Sequence, residues 1–317
     1  MLDIWFLMMI SFFITFLLLT IVIDIQHQKK LGQIEREEGL DSHKEKKNTP
    51  IFGGLAFLFS FIILFTYLLI KSHIDYFTYL LIVFPMISFS LIGLIDDILI
   101  IKKRNNTGMN SNVKFFFQIL ISLVYFVIYL LFKFDTMIDF IFFTIDLKFL
   151  YGILILLLFS GFTNASNLTD GIDGLLGGIF SLILLGFYFV SNTYEMKMII
   201  SILFSGMCAF LYFNLPKAKI FMGNIGSLCI GSLFVSLGIM MKKEIFLFIF
   251  GLIFIIEAFS VIIQVAYFKI SKGKRIFKMA PIHHHFEIVF NSEVKTLLLF
   301  YVFVIVTVIF GVLLFNI

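Results

Sequence analysis

The chain has 317 residues, of which 61% are hydrophobic and 14% are charged, and its formal net charge is +4. Soluble domains carry about 25% charged residues, so this composition excludes an ordinary soluble enzyme. With 45 Phe, 4 Pro and 2 Cys, it also excludes a disordered chain, a collagen and a disulfide-stapled secreted module. The composition predicts an all-α polytopic membrane protein, with residues 1–317 forming one integral membrane domain.

Ten apolar segments approach the length of about 20 residues that a helix needs to cross a bilayer. We interpret all ten as transmembrane helices, because lipid cannot satisfy an unpaired backbone. The weakest is the eighth, whose 14 residues are also consistent with a re-entrant segment. The predicted spans are Ile4–Ile23, Ile51–Ile70, Phe77–Ile95, Phe115–Phe132, Phe149–Thr163, Leu175–Val190, Met198–Phe213, Leu228–Met241, Ile245–Phe268 and Thr296–Phe315.

The Lys and Arg residues are distributed unevenly between the two sets of loops. Of the 24 in the chain, 18 fall in loops that follow odd-numbered spans. Basic residues favour the cytoplasmic side, so these loops are predicted to be cytoplasmic and both termini to lie outside. The other loops are short and carry few side chains that could take part in catalysis or binding. The predicted cytoplasmic loops are about 24–50, 96–114, 164–174, 214–227 and 269–295.

Asp96 and Asp97 follow the apolar run of the third span. Two adjacent carboxylates repel each other at an interface of low dielectric, so they need a cation, unless they belong to a solvated helix terminus. Neighbouring side chains on a helix point about 100° apart. We therefore expect only one of the two to face a shared metal or substrate.

The segment 167–174 reads NLTDGIDG and lies between two apolar spans. Asp170 and Asp173 share a face if the segment is helical, and the glycines permit close approach of the backbone. A plain turn is the alternative, but it would not need so many polar groups. Two carboxylate pairs with no cysteine nearby favour Mg²⁺, which commonly bridges carboxylates to phosphate oxygens. This arrangement indicates phosphoryl chemistry.

Three consecutive histidines, His283, His284 and His285, lie in the predicted loop 269–295 among several Lys and Arg residues. A zinc site is one interpretation, but adjacent residues cannot all reach one ion without strain, and no second His or Cys group supplies the usual spacing. An anion-binding edge for phosphates is the favoured interpretation. Glu257, near the centre of the ninth span, must be protonated or paired, in a structural or a functional role.

Four strings in the chain resemble one family. KKNTPIFGGL, the Asp96-Asp97 pair, NLTDGIDGL and MAPIHHHFE are similar to the phospho-N-acetylmuramoyl-pentapeptide-transferases, which are polyprenyl-phosphate phosphoglycosyl transferases; the similarity runs from Arg36 to Glu287. Relatives that transfer N-acetylglucosamine phosphate share the Asp motifs but not MAPIHHHFE. The resemblance implies ten spans and Mg²⁺-dependent transfer of phospho-N-acetylmuramoyl-pentapeptide to undecaprenyl phosphate. It places this reaction, which forms lipid I and releases UMP, at the cytoplasmic face of the bacterial plasma (inner) membrane.

The resemblance also implies partners and site residues. The partners are UDP-N-acetylmuramoyl-pentapeptide, undecaprenyl phosphate and the lipid bilayer, with no nucleic acid, and a second copy of the chain is a candidate for a homodimer. The implied catalytic residues, with Asp96 the candidate base for the lipid phosphate, are Asp96, Asp97, Asp170, Asp173 and His283. The implied metal ligands are Asp170, Asp173 and Asn224. The implied substrate-binding residues, with Phe221 near the uridine ring, are Lys46, Lys114, Asn164, Asn167, Asn214, Phe221, His284 and His285.

Three positions depart from the family pattern. Asn224 stands where the family has an Asp that binds Mg²⁺, so weaker metal binding and low activity are expected, through natural drift or a deliberate substitution. Ile100 stands where a Lys is expected, a role that Lys102 or Lys103 could take instead, and Asn48 replaces a Gly. Two rival interpretations remain, a transporter, which ten spans would also suit, and a non-catalytic relative that has lost the metal.

Overall fold

The computed structural model describes residues 3–29, 32, 49–103, 108–132, 135–140 and 143–316. The described part is a bundle of helices with one two-stranded antiparallel hairpin between α4 and α5. The helices are α1 (Ile4–Lys29), α2 (Gly53–Ile70), α3 (Tyr76–Lys103), α4 (Ser111–Leu131), α5 (Leu150–Thr169), α6 (Leu175–Val190), α7 (Tyr194–Asn214), α8 (Gly223–Met240), α9 (Glu244–Phe250), α10 (Leu252–Ile270), α11 (Ile282–Phe290) and α12 (Glu293–Phe315). The strands are β1 (Met137–Phe140) and β2 (Phe143–Asp146), with Met137 opposite Asp146.

Nine helices in the described ranges are long and apolar enough to cross a membrane, namely α1 to α5, α7, α8, α10 and α12. Helix α6 is also apolar but has only 16 residues. The weakest predicted span, Leu228–Met241, falls in the 18-residue helix α8 except for Met241, which follows its last residue. The predicted class, an all-α polytopic membrane protein, is thereby confirmed.

The ninth predicted span, Ile245–Phe268, was wrong as a single helix. The helix is interrupted at Gly251, which separates α9 from α10. A Cβ at this position would lie 2.8 Å from ring atoms of both Phe162 and Phe234, so a larger residue would not fit beside these rings. Hydropathy does not reveal the break, because the sequence is apolar on both sides of it.

Helix α8 lies at the centre of the bundle and contacts α2, α3, α5, α6 and α9. Small residues allow the neighbouring backbones to come close, as is usual where membrane helices pack. A Cβ at Gly93 of α3 would lie 2.2 Å from the carbonyl oxygen of Asn224, and one at Gly54 of α2 would lie 2.5 Å from the nitrogen of Gly226. These contacts fix the first turn of α8 between α2 and α3.

Gly93→Ala is expected to destabilise the bundle by about 1–3 kcal/mol, because the added methyl group would press on backbone atoms that cannot rotate away. The measurement is the midpoint of thermal unfolding in detergent. Gly161→Ala is the matched control, since a Cβ at Gly161 of α5 would meet no atom within 4 Å. Equal midpoints for the two variants would contradict the close packing of α3 on α8.

The described parts of the connections that follow α1, α3, α5, α7 and α10 lie at one end of the bundle, which we call the loop end. These parts are 49–52, 108–110, 170–174, 215–222 and 271–281. There the Phe221 N–H donates to the Pro50 carbonyl (2.7 Å), and the Gly174 N–H donates to Asn214 Oδ1 (3.1 Å). The opposite end, the hairpin end, carries β1 and β2. Its contacts include the Lys242 ammonium, which donates to the Asp135 carbonyl (2.9 Å).

Candidate active site

Asp96 lies in the last two turns of α3, where a cation and a backbone amide bind its two oxygens. Lys114 Nζ of α4 lies 3.0 Å from Oδ2, and the Met109 N–H donates to Oδ1 (2.6 Å). Both side chains of the ion pair are largely buried, with exposures of 14% for Lys114 and 10% for Asp96. A Cβ at Gly108 would lie 1.9 Å from Asp96 Oδ1, so only glycine lets the chain pass this carboxylate.

Asp97 points in a different direction and binds the N-terminus of α8. Its Oδ1 accepts from the Asn224 N–H and its Oδ2 from the Ile225 N–H, each at 3.1 Å. The first N–H groups of a helix lack intrahelical partners, and the helix dipole favours an anion there. The two adjacent carboxylates thus point in different directions, as neighbouring positions on a helix require, while the expectation that only one of them faces a shared metal or substrate stays a prediction.

A short backbone ladder holds the segment before α8. Gly53 and Gly54 donate their N–H groups to the carbonyls of Phe221 (2.9 Å) and Met222 (3.0 Å). The Ile51 N–H donates to Gln26 Oε1 of α1 (3.0 Å), which ties a third helix to this segment. Asn224, which follows Gly223 in the first turn of α8, is therefore placed by α1, α2 and α3 together.

Asp170 and Asp173 lie in the turn between α5 and α6, so the helical arrangement that would put both on one face is not the one that forms. Asp170 ends α5, and Asp173 is 3% exposed, with its Oδ2 accepting from the Ala218 N–H (2.9 Å). Asn214 is also buried and bridges two segments, since its Nδ2 donates to the Ile220 carbonyl (2.8 Å) while its Oδ1 accepts from Gly174. The turn and the 215–220 segment thus form one unit.

Two hydrogen bonds join α5 to its neighbours just before this turn. Asn164 Nδ2 donates to Gln118 Oε1 of α4 (2.9 Å), and the Ser166 hydroxyl donates to the Ser227 carbonyl of α8 (2.8 Å). At a rise of 1.5 Å per residue, Asp170 lies about 6 Å along the chain axis from Ser166. The end of α5 therefore lies beside the beginning of α8, which carries Asn224.

Together these contacts form a closed ring of four helices at the loop end, which we call the polar ring. Helix α3 binds α4 through Asp96 and Lys114, α4 binds α5 through an amide pair, α5 binds α8 through two serines, and α8 binds α3 through Asp97. Beside the ring is a cavity of about 550 Å³. Its lining residues are Ser111, Asn112, Lys114, Phe115, Gln118, Asn164, Asn167 and Leu168.

The three histidines lie on helix α11 rather than in a loop, which corrects the sequence interpretation. His283 Nδ1 lies 3.0 Å from Glu257 Oε2, and His284 Nδ1 lies 3.1 Å from Glu287 Oε2. His285 Nδ1 accepts from the Lys278 N–H (3.1 Å). The His283 ring lies against the Asp170–Asp173 turn, because a Cβ at Gly171 would be 2.0 Å from its Nε2.

The structure thus brings most of the predicted site residues to the loop end. Lys46 lies outside the described residues, as do Asn48 and Arg36. Sequence reasoning missed Gln118 of α4 and the pairing of Glu257 with His283. A glutamine inside an apolar span is a detectable signal for the first, because a buried amide needs partners. The roles of the individual site residues stay predictions.

The donor atoms near the turn fit a hard divalent cation in type, since Asp170, Asp173 and Asn224 offer carboxylate and amide oxygens. Across the described residues, no group of three or more His, Cys, Asp and Glu side chains is arranged to hold a metal ion. The predicted ligand set contains only two residues of these four types, because its third oxygen donor, Asn224, is an amide.

Known sequences define the class of this membrane protein. The sequence model of Glycosyl transferase family 4 matches residues 78–242, a range that runs from the start of α3 past the end of α8. Phospho-N-acetylmuramoyl-pentapeptide-transferases of Staphylococcus aureus strains MSSA476, MW2 and JH9 are each 40% identical to the chain over 303 residues. The matches cover 92% of this chain and 93% of each relative.

The chain therefore belongs to the phospho-N-acetylmuramoyl-pentapeptide-transferase family, within Glycosyl transferase family 4. The resemblance inferred from the four sequence strings is confirmed, and so is the expectation that the protein is a transferase.

Proposed function

We propose that the protein transfers phospho-N-acetylmuramoyl-pentapeptide from its UDP-linked donor to undecaprenyl phosphate. An oxygen of the lipid phosphate attacks the β-phosphorus of the donor, and the bond from that phosphorus to the oxygen bridging the two phosphates breaks. UMP leaves, and undecaprenyl-diphospho-N-acetylmuramoyl-pentapeptide, or lipid I, remains in the membrane. This product serves peptidoglycan synthesis. The 40% identity to named transferases over nearly the whole chain supports the proposal.

The polar ring is the single observation that carries the proposal. An ion pair, an amide pair and a buried carboxylate are each costly to bury between apolar helices. Their presence together at the loop end indicates that polar substrates bind there. The ring lies at one end of the bundle. A lipid phosphate can reach such a site from the membrane while a water-soluble nucleotide sugar reaches it from the aqueous side.

Within the site, Asp96 takes the proton of the lipid phosphate, and the paired ammonium of Lys114 directs the carboxylate and attracts the phosphate. Asp97 holds the first turn of α8 in place. His283, His284 and His285 bind the diphosphate and the sugar, while Phe221 stacks on the uridine ring. Asp170, Asp173 and Asn224 would hold Mg²⁺, which neutralises phosphate charge when bound.

The proposal includes ten membrane crossings, with α6 as the tenth, both termini outside and the loop end in the cytoplasm of a bacterial cell. The six Lys and Arg residues of 269–295, all at the loop end, support this orientation. Labelling of single cysteines in intact cells tests it, after replacement of Cys208 and Cys229 by Ser. A membrane-impermeant maleimide should label Asp139→Cys in the hairpin and not Lys272→Cys, and the reverse pattern would overturn the orientation.

The reaction is tested with the full chain purified in detergent. UMP release and butanol-extractable product are measured with UDP-N-acetylmuramoyl-pentapeptide, undecaprenyl phosphate and a titration of Mg²⁺. We expect release of UMP only when both substrates are present. Absence of UMP release by the native chain and by Asn224→Asp at every Mg²⁺ concentration would refute the proposal and favour a non-catalytic relative.

A transporter fits the structure less well, because transport sites lie near the bilayer midplane. The buried Glu257 of α10 is paired with a histidine from the loop end, and the polar ring lies at that end too. Counterflow of a nucleotide sugar in vesicles without UMP release would favour transport.

A further inference from the structure

Glu257 is a fully buried carboxylate on α10, outside the polar ring. Its Oε2 lies 3.0 Å from His283 Nδ1, and both side chains have an exposure of 0%. A buried acid in a membrane helix is costly unless it is paired, and such residues generally serve function. The pair therefore needs an explanation beyond packing.

The opposite edge of the His283 ring faces the Asp170–Asp173 turn. Its Nε2 is buried and has no hydrogen-bond partner among the described residues. Only the absence of a side chain at Gly171 leaves room for this nitrogen, since a Cβ there would lie 2.0 Å away. The imidazole thus connects a buried carboxylate on one side to the candidate site on the other.

The carboxylate determines which ring nitrogen carries the proton. With Glu257 ionised, its carboxylate only accepts, so His283 Nδ1 is the donor and Nε2 is the ring nitrogen left to face the turn. His285 is the opposite case, because its Nδ1 accepts from the Lys278 N–H and its proton must lie on Nε2. The neighbouring histidines of the motif are therefore not chemically equivalent.

Glu257 belongs to a polar stripe along α10 with Ser260 and Gln264. The Ser260 hydroxyl oxygen accepts from the Ile282 N–H (3.0 Å), and Gln264 Oε1 accepts from the Phe277 N–H (3.0 Å). These two residues already hold the backbone of the segment that enters α11. Of these three residues, only Glu257 binds a side chain of the histidine motif. Its contact therefore orients the imidazole of His283, whereas the other two hold the backbone.

We propose that Glu257 is a positioning residue for the transfer reaction, acting through His283. By accepting from Nδ1, it fixes the ring so that Nε2 points to the Asp170–Asp173 turn, where the Nε2–H of the imidazolium donates to a diphosphate oxygen of the substrate. The inference rests on the proposed function, because it assigns a role within that reaction. A purely structural Glu257 would stabilise the bundle without regard to the state of His283.

A double-mutant cycle tests the coupling, with Glu257→Gln and His283→Gln alone and combined, in the native chain and in the Asn224→Asp background. Glu257→Gln is nearly isosteric and is expected to lower kcat by at least about tenfold with little change in KM for the UDP-linked donor. In the His283→Gln variant, which lacks the imidazole, adding Glu257→Gln should have almost no further effect on kcat.

Glu244→Gln is the matched control. Glu244 is 2% exposed and lies at the hairpin end, so its replacement tests the loss of a buried carboxylate away from the site. We expect it to lower thermal stability and leave kcat unchanged. Equal losses of kcat in Glu244→Gln and Glu257→Gln, or effects of Glu257→Gln and His283→Gln that simply multiply, would overturn the proposal.

A measurement on the native chain separates this inference from the proposed function. Nitrogen NMR of protein labelled with ¹⁵N-histidine, assigned by the signal lost in His283→Gln, reports the tautomer without turnover. A protonated Nδ1 at His283 is the expected result, and a neutral ring protonated only at Nε2 would overturn the inference. If no variant releases UMP but the expected tautomer is found, the proposed function fails while the geometry stands.

Discussion

Asp96→Asn is expected to lower kcat by about 10³-fold, the scale on which positioned general bases contribute. The amide keeps an oxygen that accepts from the Met109 N–H, so the local fold should persist. What disappears is the negative charge that takes a proton and pairs with Lys114. The measurement is the rate of UMP release at saturating substrates, together with the thermal midpoint of the variant.

The partner of Asp96 provides a second variant of the same prediction. Lys114→Met leaves a largely buried carboxylate without its cation and should weaken binding of undecaprenyl phosphate, which appears as a raised KM for the lipid. Lys71→Met is the control, because this lysine is exposed directly after α2, at the hairpin end. A kcat of Asp96→Asn within threefold of the native value would show that another group accepts the proton.

Asn224→Asp is expected to lower the Mg²⁺ concentration needed for half-maximal UMP release by roughly 30-fold. One additional negative charge within a few ångströms of a divalent cation is worth about 2 kcal/mol after desolvation, which corresponds to that ratio. The backbone N–H of residue 224 would still donate to Asp97, so the first turn of α8 should keep its position.

The same change gives a readout without turnover. A new carboxylate close to the buried Asp97 should destabilise the bundle in the absence of Mg²⁺, and added Mg²⁺ should raise the thermal midpoint because the ion binds the folded state. Asn316→Asp, at the end of α12, is the control and should show no response to Mg²⁺. If the midpoints of both variants are insensitive to Mg²⁺, residue 224 is not a metal ligand.

The sequence predicts the membrane helices well because hydropathy reports the one constraint that a bilayer imposes on every span. The break at Gly251 escaped prediction because the sequence is apolar on both sides of it and the close approach of two aromatic rings to this glycine is a tertiary contact. The hairpin escaped for a different reason. Four-residue strands such as Met137–Phe140 carry too short a pattern to distinguish from a loop.

For the site, the sequence identified the chemical groups but not the contacts between them. Adjacent carboxylates at a span end predicted divergent directions, and in the structure Asp96 of α3 binds α4 while Asp97 of α3 binds α8. The partner of Glu257 was beyond sequence reasoning, since His283 is 26 residues away on a separate helix. Pairings across helices depend on packing that no local pattern records.

The capping of α8 by Asp97 has a consequence for inhibitor design. Both oxygens of this acid bind the amides that hold the first turn of α8, and both oxygens of Asp96 are bound by Lys114 and the Met109 N–H. A small molecule built to chelate the two neighbouring acids would therefore have to break both sets of contacts. An inhibitor that fills the cavity lined by Lys114, Gln118 and Asn164 would leave these contacts intact.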